Sequence, residues 1–99
     1  MEFIVSEKKV SGRLMLIISD KDIICRIFTE GRKQLDMAKE FYQGEERKEE
    51  YLAKKLKEAY IAHFTGKNSV ALGVKLGLIN EDKILIVDKV PHAEVVMEG

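Results

Sequence analysis

The chain carries one cysteine, one proline, no tryptophan, two histidines and no net charge. Each scarcity excludes something. A lone cysteine, Cys25, forms no internal disulfide and suits a reducing compartment, which points to the cytoplasm. Two histidines and one cysteine do not supply the ligand spacings that hold zinc, so neither metal nor cofactor is expected. Lys and Arg number 17 and Asp and Glu 17, which argues against a sequence-blind nucleic-acid coat with a basic excess. The balance is also local: residues 1–36 hold seven basic and six acidic side chains, 37–58 six and six, and 59–99 four and five. Any basic patch has to be assembled in three dimensions. The longest apolar run, Leu14 to Ile18, is far too short to cross a bilayer. Met1-Glu2-Phe3-Ile4-Val5 lacks the basic start and apolar core of a secretory leader. Amides are few (Gln34, Gln43, Asn68 and Asn80) beside abundant Glu and Lys, a lean toward a thermophilic source.

What is present describes one domain over residues 1–99. Hydrophobic residues make up 45% and charged residues 34%, which excludes disorder. A chain of this length buries roughly two thirds of its unfolded surface and needs no staple.

Phe3 to Val5 reads as a strand, Ser6 to Gly12 as a charged turn, and Arg13 to Ser19 as a β-branched strand buried on both faces. Ser19 to Asp22 is a turn or a single helical turn. Ile24 to Thr29, Glu30-Gly31, and Arg32 to Met37 fit a hairpin, with Gly31 supplying the positive φ of the turn. Ala38 to Gln43 then forms a short helical turn ended by Gly44. In Glu45 to Phe64, residues Leu52, Leu56, Ala59, Tyr60 and His63 recur at helical spacing and predict one long helix. Glutamates load its start and Lys54, Lys55 and Lys57 follow, in accord with the macrodipole. A second helix is expected from about Asn68 to Leu76, closed by Gly77 with Leu78 in a Schellman end. Asn80 to Asp82 is a turn, and Ile84 to Val87 and Ala93 to Met97 are the last strands. The fold class is α+β: a small mixed sheet of about four to six short strands packed on a helical hairpin.

Several motifs bear on chemistry. Gly66-Lys67-Asn68-Ser69 resembles part of a phosphate-binding loop, but Ile61 stands where the loop needs its first glycine and Asn68 where it needs Ser or Thr. With no strand read before it, it is taken as a helix–helix turn whose free N–H groups are open to an anion. The second helix is too apolar to enter a major groove. His63 reads as a core-edge residue, and Cys25 beside Arg26 as a packed thiol. In Val90-Pro91-His92-Ala93-Glu94-Val95, period two puts Pro91, Ala93, Val95 and Met97 on an apolar face and His92 with Glu94 on the other. The carboxylate is expected to raise the His92 pKa. Pro91 marks a strand start or a sheet edge.

Phe28-Thr29-Glu30-Gly31, Phe41-Tyr42-Gln43-Gly44-Glu45, the Gly66 and Gly77-Leu78-Ile79 punctuation and Val90-Pro91-His92-Ala93 together resemble the small archaeal family catalogued as domain of unknown function 424, over nearly the whole chain. The family often has Asn where His63 stands and Gly where Lys89 stands. The resemblance implies an α+β domain of no established activity, sometimes described as RNA-binding and linked to translation. On that basis the first expectation is a non-catalytic RNA- or ribonucleoprotein-binding module. Arg26, Arg32, Lys33 and His92 would contact phosphates or bases, Tyr42 would stack, and Glu30, Gly31 and Pro91 would complete the surface. The alternatives are a protein–protein adaptor or homodimer pairing through the Pro91 strand as a sheet edge, and a small enzyme with His92 as acid/base oriented by Glu94.

Overall fold

The computed structural model describes residues 2–97. Eight strands and two helices follow in the order β1 (Glu2–Val10), β2 (Arg13–Asp20), β3 (Ile27–Glu30), β4 (Lys33–Asp36), β5 (Glu45–Lys48), α1 (Glu49–Lys55), β6 (Ala59–Thr65), α2 (Lys67–Lys75), β7 (Leu85–Val87) and β8 (Val90–Val96). Six strands form a mixed sheet in the order β5-β1-β2-β6-β8-β7, and β3 and β4 form a separate hairpin. Only β2 and β6 run parallel; the other neighbours are antiparallel.

Alternation sorts the sheet into two faces. Phe3, Val5, Leu16, Ile18, Ala62, Phe64 and Ala93 point to one side and meet Leu52, Leu56, Val70 and Leu72 of the helical segments. The other face carries Ile17, Ser19, His63, Thr65, His92 and Glu94, in register across β2, β6 and β8. The β3–β4 hairpin covers its β7–β8 side: Phe28, Leu35, Met37, Val87 and Val90 form a second buried cluster with Tyr42 packed against it. The central strands are thus covered on both sides, which is why Arg13 to Ser19 reads as a continuous apolar run.

The expected mixed sheet, the residue 24–37 hairpin and the last two strands are present. The helical hairpin is not. Glu45 to Phe64 divides into β5, the seven-residue α1, a 3-10 turn at Leu56–Glu58 and β6. Ala59 to Thr65 is apolar and aromatic enough to serve either as a buried helix or as a strand covered on both faces, and pairing with β2 and β8 decides for the strand. Glu45-Glu46-Arg47-Lys48 favours helix by propensity, yet it pairs with β1 as an edge strand. Its charge is the ordinary protection of an exposed edge. Ser6 to Gly12 is likewise no turn: β1 continues to Val10, and only Ser11 and Gly12, both at positive φ, make the reversal. Its charged side chains fall on the poorly covered end of the strand. The Schellman end of α2 forms as expected, with Leu78 N–H bonded to the Gly73 carbonyl at 2.9 Å and Gly77 N–H to Val74 at 3.0 Å.

Candidate functional site

The strand–turn–helix unit of β6, Gly66 and α2 overturns the expected helix–helix turn. A strand does precede Gly66-Lys67-Asn68-Ser69. Two of the anion-receptive N–H groups at the start of α2 are nonetheless taken. Asp20, ending β2 and only 5% exposed, accepts from Asn68 N–H at 2.9 Å, from Ser69 N–H at 2.7 Å and from the Ser69 hydroxyl at 2.7 Å. The protein supplies its own carboxylate where an external anion would sit. Gly66 holds φ +107°, and a Cβ there would lie 2.6 Å from Asp20 Oδ2, so the lock depends on glycine twice over.

Beside this lock the face opposite the helices carries a polar cluster. Ser19, Thr65 and His92 lie in one cross-strand row, and Ile17, His63 and Glu94 in the next. Thr65, fully buried, shares a 2.7 Å hydrogen bond with His92 Nδ1. Glu94 does not pair with His92. Its Oε2 lies 3.3 Å from His63 Nε2, because residues two apart on β8 are farther from each other than residues facing across strands. The Phe41 ring stands edge-on to His63 at 5.3 Å, and the two imidazoles are 6.1 Å apart. Sequence spacing had placed His63 on a helix; a strand reading of Ala59 to Thr65 brings it beside His92.

Burial pushes the His92 pKa down, the neighbouring His63 adds to that, and Glu94 opposes both. The expected upward shift is therefore reversed. Burial also lowers His63 against the pull of Glu94. Burial thus favours the neutral form of both rings, and His63 Nδ1 is buried with no hydrogen-bond partner among the described residues. The hydroxyl of Ser19 is buried and unpartnered too. The five concavities at hand are lined by other residues, and Thr65 beneath His92 has no exposed surface. The cluster joins β6 to β8.

The remaining candidate residues gather elsewhere. Glu30 Oε1 accepts from Asp88 N–H at 2.9 Å, which ties the β3–β4 turn to the β7–β8 turn. Gly31, at φ +61°, makes the first turn; Asp88 and Lys89, both at positive φ, make the second. Arg32 and Lys33 are exposed at the first turn. Arg26 is exposed on the flank, its guanidinium 5.0 Å from the Phe28 ring. Lys89 shares a hollow of about 200 Å³ with Lys67, Asn68, Asp22 and the Asp20–Gly66 lock. Tyr42 is half-buried against Phe41 and the second core, and burial raises its pKa. It is part of the hairpin's packing rather than a free platform. Pro91 is not on an edge: β8 lies between β6 and β7, Pro91 faces Ile86, and its carbonyl accepts from Gly66 N–H at 2.9 Å. The edge is β7. Cys25, expected to be packed, is exposed and free, because a left-handed φ of 70° turns it out of the second core.

Among the described residues no group of three or more His, Cys, Asp and Glu is arranged to hold a metal, and no helix is long and apolar enough to cross a membrane.

Comparison with known proteins matches residues 9–97 to the family model described as protein of unknown function (DUF424). The chain belongs to this family. The fold is also seen in a crystal structure of an uncharacterized conserved protein from Methanopyrus kandleri, with a TM-score of 0.80 and 21% identity, covering 100% of this chain and 96% of that one. At that identity the likeness shows the fold alone. Comparison with curated proteins gives no match.

Proposed function

We propose that this DUF424 member is a non-catalytic module that binds single-stranded RNA, or the RNA of a ribonucleoprotein, through the paired β3–β4 and β7–β8 turns. The observation that carries this is the 2.9 Å bond from Asp88 N–H to Glu30. It joins the turn that carries Arg32 and Lys33 to the turn that carries Lys89, whose hollow Lys67 shares, and Arg26 is exposed on the flank of the hairpin. None of these five cations takes part in an ion pair among the described residues. The nearest buried carboxylate, Asp20, is spent on the α2 cap, and Glu30 on Asp88. Both carboxylates keep their negative charge, so with Asp22 and Asp88 nearby the surface is one of interleaved charge, in which these five cations are the groups that would meet phosphates. His92, with Thr65, stands behind the β7–β8 turn and holds its strand.

Fluorescence anisotropy with a labelled single-stranded RNA tests the reading. About four phosphate contacts imply a slope near −3 in log K against log salt, so affinity falls about 50-fold between 50 and 200 mM. The R32A/K33A/K89A variant loses about 0.7 in slope for each cation removed. Binding that ignores salt, or a variant that binds as the parent does, would sink the proposal. A second reading, self-association along β7, is favoured by Leu85 and Ile86, which are 62% and 52% exposed on that short edge. Light scattering that shows a monomer at high concentration removes it.

A further inference from the structure

The end of the sheet remote from the paired turns carries a different surface. Leu14 pairs with Ala59 and Met15 with Ile61, so Tyr60 is one residue too many in β6, a bulge. Bulges re-aim a side chain and are over-represented beside binding sites. Here Tyr60 is turned out to solvent at 38% exposure, and the Arg13 guanidinium lies 4.3 Å from the centre of its ring. On one side of this pair opens a concavity of about 460 Å³, floored by Val10, Leu14, Met15 and Ile61. On the other side a hollow of about 490 Å³ is bounded by Lys57, Glu58, Val96 and Met97. The first volume falls in the range of small-molecule sites, which are mostly apolar with a few placed polar groups.

Charge says what fits. Arg13 makes no ion pair among the described residues, and Glu58, the carboxylate nearby, is held by Lys55 at 3.8 Å. Val10 and Val96 are left 56% and 54% exposed. The site is an apolar floor with an uncompensated cation at its rim and an aromatic face beside it. We infer that it binds a small amphipathic anion: an aromatic body carrying one carboxylate. The carboxylate would take the two-pronged guanidinium of Arg13, and the aromatic body would pack on Tyr60, Met15 and Ile61.

The probe is 2-naphthoate, titrated into the full chain and followed by ¹⁵N–¹H correlation NMR. The expected result is saturable shifts confined to residues 10–15 and 59–61, with a Kd below about 1 mM. R13Q weakens binding about tenfold, and so does replacing the probe by neutral 2-naphthalenemethanol, since each removes the charge-assisted pair. The neutral probe leaves the protein unaltered, so the test survives a variant that fails to fold. Three results would overturn the inference: no saturable shifts, equal affinity for the neutral probe, or shifts at these residues that grow with protein concentration alone. The last would give the face to a second copy of the chain.

Discussion

Asp20 is the most exacting place to perturb the fold. Its carboxylate joins the end of β2 to the start of α2 by three bonds, two to backbone N–H groups and one to the Ser69 hydroxyl. Asp20→Ala removes a helix cap, a loss of about 1–2 kcal/mol. It also leaves the buried Ser69 N–H and hydroxyl without an acceptor, at about 1–3 kcal/mol for each orphaned group. Partial re-solvation at the adjoining hollow lowers that sum, so the expected loss is about 3–4 kcal/mol. Asp20→Asn keeps one oxygen but loses the charge, and charged bonds are about twice as strong as neutral ones, so its loss is about 1–2 kcal/mol. Ser69→Ala removes one bond and leaves Asp20 on both N–H groups, a loss of about 1 kcal/mol. Urea unfolding with unchanged m-value reads all three, and the Asp20→Asn/Ser69→Ala cycle shows coupling because the pair shares one oxygen. An Asp20→Asn within about 0.5 kcal/mol of the parent, the usual scatter of surface changes, would refute the lock.

Other outcomes follow from the same physics. His63 and His92 have folded pKa values below their ordinary value of 6.5. The unfolded chain therefore binds protons first as pH falls, so stability is full above about pH 6.5 and declines as pH drops through that value toward the folded pKa. Urea midpoints at pH 7.5, 6.0 and 5.0 should fall in that order, and His92→Gln should flatten the trend. Cys25 is exposed, so Ellman's reagent should label one thiol per chain in the native state, without waiting for unfolding. Leu16 is fully buried in the main core, and Leu16→Ala should cost about 3 kcal/mol in chemical denaturation; Val10→Ala, at an exposed site, should stay within about 0.5 kcal/mol of the parent.

How much of this was legible in the chain depends on where the information lies. The hairpin of residues 24–37 was readable because Gly31 and the alternation of Leu35 and Met37 are local signals. The Schellman end at Gly77-Leu78 was readable for the same reason. Leu14 to Ile18 is apolar throughout and ends in two β-branched isoleucines, as a doubly covered strand needs. Glu45 to Phe64 was misread because its fate is settled by partners remote in sequence. Glu45 to Lys48 becomes a strand only because β1 offers an edge, and Ala59 to Thr65 only because β2 and β8 lie on either side. That one error hid the histidine cluster. With His63 on a helix, its approach to His92 and Glu94 is invisible, and so is the strand before Gly66. The alternation of Ile61, His63 and Thr65 against Ala62 and Phe64 was the available signal. The Glu30–Asp88 bond, joining residues 58 apart, has no trace in the sequence.

The central claim is that the paired turns form the RNA-binding surface. Mapping a single-stranded RNA onto the ¹⁵N–¹H spectrum of the full chain at low salt tests it most directly. The account predicts shifts concentrated at residues 26–33, 67–68 and 88–90, fading as salt is raised. Shifts centred on residues 10–15 and 59–61, or none at saturating RNA, would contradict it.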